Sequence, residues 1–264
     1  MDTSIATCQD GRAGNYINAF WQINGAPAYQ SEIILPKGAV ELIFSFNDPV
    51  PFSRMDGNEQ MSTPRCFLNG MNNKPVHLVA PAQQSFFGIV LNPAAVKKLL
   101  FVPCGKFLNA ITDLEILDDA FGSLWHQLAE KNSFHERVLI MEQWMIQRLE
   151  SIHPQDKAIA SYLSNNIEPG SVANLAAELC YSTRQLHRKA QEFFGMSTEC
   201  LIRYKRYLAS LHFMHQSRES LTRIAYHCHY YDQAHFIREF SEFTGLTPGE
   251  YRLQKTHLPG HLFQ

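Results

Sequence analysis

The side chains best spaced to do chemistry in this chain are hydrogen-bond donors at helical spacing, not nucleophiles. The sequence writes RKAQEFFG at 188–195 and REFSEFTG at 238–245, so one Arg-x-x-x-Glu-Phe-x-Gly frame occurs twice. Arginine chemistry is recognition: its planar fork makes bidentate bonds to guanine, as glutamine does to adenine. Metal chemistry has one candidate, His227-Cys228-His229. Adjacent ligands on a helix point about 100° apart and do not converge, and tetrahedral sites want ligands two to four residues apart with a second pair elsewhere. The six cysteines, at 8, 66, 104, 180, 200 and 228, contain no CxxC pair. A Gly-rich phosphate loop and a Gly-x-Ser-x-Gly elbow are both missing. No catalysis, no cofactor and no metal are expected.

The elements that carry the repeat lie in the second of two regions. A length of 264 residues suggests about two domains. Composition is that of a soluble globular protein, 45% hydrophobic and 18% charged. The start, MDTSIATCQDGR, lacks the charged and apolar segments of a signal peptide, and no apolar run reaches the ~18 residues of a membrane helix. A cytoplasmic protein with free thiols is expected. Residues 1–155 hold 11 Lys/Arg against 15 Asp/Glu, whereas 156–264 hold 12 against 10, with eight of the twelve histidines. The second region is therefore the more basic, though weakly so; its charge permits a DNA partner without demanding one.

The first ~90 residues read as β structure. AVELIFSF (39–46) alternates as a half-buried strand, HLVA (77–80) and SFFGIVL (85–91) are further strands, and Gly and Pro punctuate the whole stretch. Short strands with many turns predict an antiparallel barrel or sandwich. Helices follow: one capped by Asn92 with Pro93 at its first position, one after Asp118-Asp119, and one from Ser133. The last starts in a capping box with Glu136 and carries the stripe Val138, Met141, Met145 and Leu149. Pro154 marks a boundary, which divides the chain into domains at 1–152 and 153–264.

Aligning the two copies on Arg188 and Arg238 superposes Leu186 on Phe236, Phe193 on Phe243 and Gly195 on Gly245. Upstream, LAAELCYS (175–182) falls on IAYHCHYY (224–231). Each copy is a short helix with an alanine at a close approach, a turn with an aromatic residue, and an amphipathic helix ending at glycine. That is the helix-turn-helix pattern, over about 172–195 and 221–245. A helix fits the major groove of B-DNA, and two units on one chain could occupy successive grooves about 34 Å apart. The spacer is ECLIRYKRYLASLHFMHQ (199–216), with Leu201, Tyr204, Leu208 and Leu211 on one face.

Residues 156–252 resemble the DNA-binding domain of the AraC/XylS family of bacterial transcription regulators. The stretch IAYHCHYYDQAHFIREFSEFTGLTPGEYR (224–252) carries the resemblance through Asp232, Gln233, His235, Phe236, Arg238, Phe240, Gly245, Thr247, Pro248, Tyr251 and Arg252. Three departures stand out: Cys180 and His229 replace the usual turn glycines, and Ala234 replaces a serine. The resemblance implies that Arg184, His187 and Arg188 face the groove in the first unit, and Gln233, Ala234, His235 and Arg238 in the second. Lys189 and Arg206 are implied phosphate contacts. For Arg188 and Arg238 a structural salt bridge is the rival reading. For His187 and His235 it is plain helix surface.

The N-terminal region resembles, more weakly, the cupin-like sensor domains joined to such DNA-binding domains, through LPKGAVELIFSF (35–46) and FFGIVLNPAAVKKLL (86–100). The resemblance implies an α+β chain: a cupin-like antiparallel β-barrel with flanking helices, then an all-α tandem helix-turn-helix. It further implies double-stranded DNA as partner and a small-molecule effector, with RNA polymerase and a second copy of the chain as further candidates and no membrane. Trp21, Tyr29, Phe44, Phe86 and Phe87 are candidates for an apolar pocket, set against ordinary core. Only His77 falls in the first 125 residues, too few histidines for a metal-dependent cupin enzyme. Two alternatives stay open: an interaction module of this fold that has lost DNA binding, and a sensor enzyme fused to this domain.

Overall fold

The structure, a computed structural model, describes residues 2–8, 10–54, 60–148, 153–165 and 170–264. Turn residues cut the first region into β1 (Asp2–Ala6), β2 (Ile17–Gly25), β3 (Ser31–Ile34), β4 (Val40–Ser45) and β5 (Pro51–Arg54). Next come β6 (Met61–Ser62), β7 (Cys66–Asn69), β8 (Val76–Val79) and β9 (Gln84–Leu91). Then follow α1 (Pro93–Leu100), β10 (Ile111–Asp113), α2 (Leu114–Leu117), α3 (Ala120–Ala129) and α4 (Phe134–Arg148). The second region is helical: α5 (Pro154–Ala160), α6 (Val172–Glu178), α7 (Thr183–Phe194) and α8 (Thr198–Gln216). It continues through α9 (Leu221–His227), α10 (Gln233–Thr244) and α11 (Pro248–Gln254), and ends in a strand, β11 (His261–Phe263).

The strands pair antiparallel into two sheets, ordered β1-β2-β9-β4-β7-β10 and β11-β3-β8-β5-β6. The expected antiparallel β-rich domain is there, but its ladders form two sheets and not one closed ring. β4 also differs from expectation, since all six of its residues are buried. Its alternation is real: Val40, Leu42 and Phe44 face the core, while Glu41 and Ile43 face a cavity between the sheets instead of solvent. A period of two reports the two faces of a strand and says nothing of what covers each.

The expected caps form. Asn92 Oδ1 accepts from Ala94 N at 2.9 Å and Ser133 Oγ from Glu136 N at 3.2 Å. Of the α4 stripe, Val138, Met141 and Met145 are buried against the sheets, and Leu149 lies outside the described residues. The division at 152/153 likewise falls beside 149–152, outside the described residues. Among the described residues no helix is long and apolar enough to cross a membrane.

Helix α8 joins the regions as well as the two repeats. Tyr204 Oη accepts from Gly38 N at 3.0 Å and donates to Asn72 O at 2.6 Å, and Tyr207 Oη donates to Pro36 O at 2.9 Å. Two buried phenols thus find their partners in backbone of the β domain, the requirement for burying a hydroxyl.

Candidate nucleic-acid interface

Each helix-turn-helix unit is set by the same backbone device. At the end of α6, Tyr181 N donates to Ala176 O at 2.8 Å and Cys180 N to Ala177 O at 3.2 Å; at the end of α9, Tyr230 N donates to Ala225 O at 3.0 Å and His229 N to Tyr226 O at 3.2 Å. These are Schellman closures, which need a left-handed residue just past the helix. Cys180 (φ 55°) and His229 (φ 60°) supply it. A side chain there costs on the order of 1 kcal/mol relative to glycine, and the turns keep their geometry regardless. Ala176 and Ala225, 4% and 2% exposed, fill the close approach between helices. The second helices start at Ser182, which forms a capping box with Gln185, and at Asp232, whose Oδ1 accepts from His235 N at 2.7 Å.

Among the candidate residues, the three arginines of the second helices stand apart. Arg184, Arg188 and Arg238 are exposed, and among the described residues none makes a hydrogen bond or ion pair. Among the described residues the salt bridge that rivalled groove contact at Arg188 and Arg238 does not form. Ala234 is exposed as well. The remaining candidates have protein partners. Gln233 Oε1 accepts from Thr222 Oγ1 at 2.7 Å. His187 Nδ1 lies 2.9 Å from Thr198 Oγ1, with Glu199 3.8 Å from its other nitrogen. Lys189 meets Asp156 at 2.6 Å and Glu192 at 3.3 Å. Arg206 meets Glu239 at 3.2 Å, as does His235 at 3.0 Å.

Glu239 is a residue the sequence reading missed. Its side chain is 4% exposed and gathers Arg203, Arg206 and His235 onto one carboxylate. Arg203 also pairs with Glu242. The signal was available in the repeat: Glu239 stands where the first copy has Lys189, a reversal of charge inside an otherwise shared frame.

The β domain holds a cavity of about 410 Å³ between its sheets. Trp21, Tyr29 and Phe86 line it; Phe44 and Phe87 are core, fully buried elsewhere. Glu41 projects into this wall and accepts from Trp21 Nε1 at 3.0 Å, Lys37 Nζ at 3.2 Å and Asn69 Nδ2 at 3.2 Å. Burial pushes its carboxyl up, but Lys37 and Asn69 outweigh burial and hold it below the usual range. Opposite, Glu32 Oε1 lies 2.5 Å from His261 Nδ1 on the last strand.

Comparison with known proteins finds two families along the chain. A family described as a helix-turn-helix domain matches residues 175–254, and a domain of unknown function, DUF6597, matches residues 14–113. Among solved structures, ToxT from Vibrio cholerae is 12% identical with a TM-score of 0.47, over 89% of this chain and 98% of that one. An AraC-type DNA-binding regulator from Chromobacterium violaceum is 24% identical with a TM-score of 0.35, over 38% of this chain and 91% of that one. The DNA-binding domain of AdpA, solved with a target DNA, is 22% identical with a TM-score of 0.35, over 39% and 92%. No curated protein sequence matches. Residues 175–254 thus form a helix-turn-helix domain.

Proposed function

We propose that this protein is a sequence-specific, effector-responsive transcription regulator that sets α7 and α10 into successive major grooves of one duplex. The observation that carries the reading is the selective freedom of three guanidinium groups. Lys189, Arg203, Arg206 and His235 are matched to carboxylates within the protein, whereas Arg184, Arg188 and Arg238 on the second helices are exposed and, among the described residues, unmatched. Unpaired arginines on the groove-facing helix are what guanine and phosphate recognition require. The cavity of the β domain supports effector binding, being enclosed by apolar side chains with a few polar groups. No catalytic role is proposed: burial pushes the thiols of Cys8, Cys66 and Cys104 up to about 12, far from a reactive thiolate at neutral pH. The cytoplasm is the compartment this reading assigns, with RNA polymerase and a second copy of the chain as further partners.

Fluorescence anisotropy of the full chain on a duplex selected from a randomised pool tests the reading. Affinity should fall steeply with salt, log K losing about 0.9 per phosphate neutralised for each tenfold rise. A protein that enriches no sequence and binds no duplex at low salt is instead an interaction module of this fold.

A further inference from the structure

We infer that the cavity between the sheets takes a largely apolar molecule that is uncharged or cationic, and that the C-terminal strand couples its occupancy to the second helix-turn-helix unit. The inference rests on reading the β domain as the effector-binding part.

The charge preference follows from the wall. Its titratable side chains are Lys37, Glu41, Glu32, His261 and Tyr29. Lys37 is the one ammonium among them, and its Nζ lies 3.2 and 3.1 Å from the two oxygens of Glu41. His261 Nδ1 lies 2.5 Å from Glu32 Oε1, so the cationic and imidazole groups of the wall already face its two carboxylates and none is left over for an anion. An entering anion would meet two carboxylates, or draw Lys37 away and leave Glu41 buried without its counter-charge, the costliest outcome for a buried pair.

The coupling follows from who builds the wall. Leu258, His261 and Phe263 line the cavity, although they follow α11 in sequence. β11 adds to β3 in antiparallel register, His261 opposite Ile34 and Phe263 opposite Glu32. Phe263 stacks on Tyr29 with ring centres 4.2 Å apart and planes within 2°. The same segment is fastened at its other end to the second unit. Tyr251 of α11 is fully buried against Phe240 of α10, and Lys255 Nζ donates to Met214 O at 2.8 Å and His215 O at 3.0 Å at the end of α8. Six residues, 252–257, therefore separate Tyr251, packed on α10, from Leu258 in the wall of the cavity. Whatever stabilises β11 in its register stabilises that arrangement of α11, and linkage makes the effect reciprocal.

The test uses the full chain and three probes with one body: 4-phenylbutan-1-ol, 4-phenylbutylamine and 4-phenylbutyrate, followed by calorimetry and by hydrogen exchange. The alcohol and the amine should bind at least tenfold more tightly than the carboxylate. They should slow exchange in β3, β11 and α11. Phe263→Ala should weaken both severalfold; Phe263→Leu, which keeps an apolar side chain on the strand and removes the ring, should fall between and controls for loss of fold. Preferential binding of 4-phenylbutyrate overturns the charge preference and leaves effector binding standing. Binding with unchanged exchange in α11 and no effect of either variant overturns the coupling. If none of the three probes binds at millimolar concentration, the effector reading of the cavity falls, and this inference with it.

Discussion

The two helix-turn-helix units share a frame and differ in what holds them. In the first, the end of α7 sits on the β domain. Gly195 and Gly105 meet so closely that a Cβ on Gly105 would lie 2.0 Å from Gln191 O, and one on Gly195 2.4 Å from Gly105 O. Lys97 reaches Glu192 at 2.6 Å, and Lys189 reaches Asp156 on α5 at 2.6 Å. In the second unit the residue equivalent to Lys189 is Glu239, which binds inward to Arg203 and Arg206 on α8. One position has been given opposite charges to attach the same motif to two different supports. Arg188 and Arg238, one residue earlier, are exposed in both and have no ion-pair partner among the described residues. The attaching residue has reversed its charge while the arginine beside it is the same in both copies.

The largest effect should come from the glycine contact. Gly195→Ala adds both a left-handed penalty (φ 68°) and a backbone clash, and should cost about 3 kcal/mol or more in a denaturant melt. Gly245→Ala at φ 72° carries the conformational term of about 1–2 kcal/mol and should cost less than Gly195→Ala. Equal losses would remove the distinction between a docked unit and a tethered one. Next comes the charge reversal. Glu239→Gln strips a buried carboxylate from three donors and should cost about 2 kcal/mol. Lys189→Met, in a partly exposed pair, should cost less than about 1 kcal/mol in the same melt.

A smaller contrast lies in the thiols. Cys180 is exposed in the first turn, whereas burial pushes the Cys228 thiol of the second unit up to about 12. Iodoacetamide at pH 8 should therefore label Cys180 well before Cys228, as read by mass spectrometry. The folded state keeps the Cys228 proton above the unfolded value of 9.0. It thus binds more protons than the unfolded chain between about 9 and about 12, and stability falls as pH rises through that window. Cys8, Cys66 and Cys104 act in the same window, so Cys228→Ala should make the fall shallower by its own share; an unchanged slope would show that this thiol does not contribute. Least of all, Cys180→Gly should raise stability by roughly 0.5 kcal/mol, the relief of φ > 0 less the added freedom of the unfolded chain.

These contrasts mark how far the sequence could be read. The repeat was legible because its signals are local: Ala176 and Ala225 at a close approach, Gly195 and Gly245 at the helix ends, phenylalanines at helical spacing. Caps at Asn92 and Ser133 were legible for the same reason. What escaped depends on distant partners. Glu41 read as the wet side of a strand because the sheet that covers it, and the Lys37 that pairs with it, cannot be inferred from alternation. His-Leu-Phe at 261–263 is too short to show a period, yet it pairs with a strand some 230 residues earlier in the chain. The free and the matched cations could not be sorted without knowing that α8 brings Arg203 and Arg206 to Glu239.

The central claim is that each unit reads its own part of one DNA site, and selection from a randomised duplex pool tests it most directly. Wild type, Arg184→Ala and Arg238→Ala would be selected side by side at one salt concentration. Wild type should yield two sub-sites about 10 base pairs apart, with Arg184→Ala relaxing one and Arg238→Ala relaxing the other. Enrichment of a single sub-site relaxed by both variants, or no enrichment at all, would contradict the account.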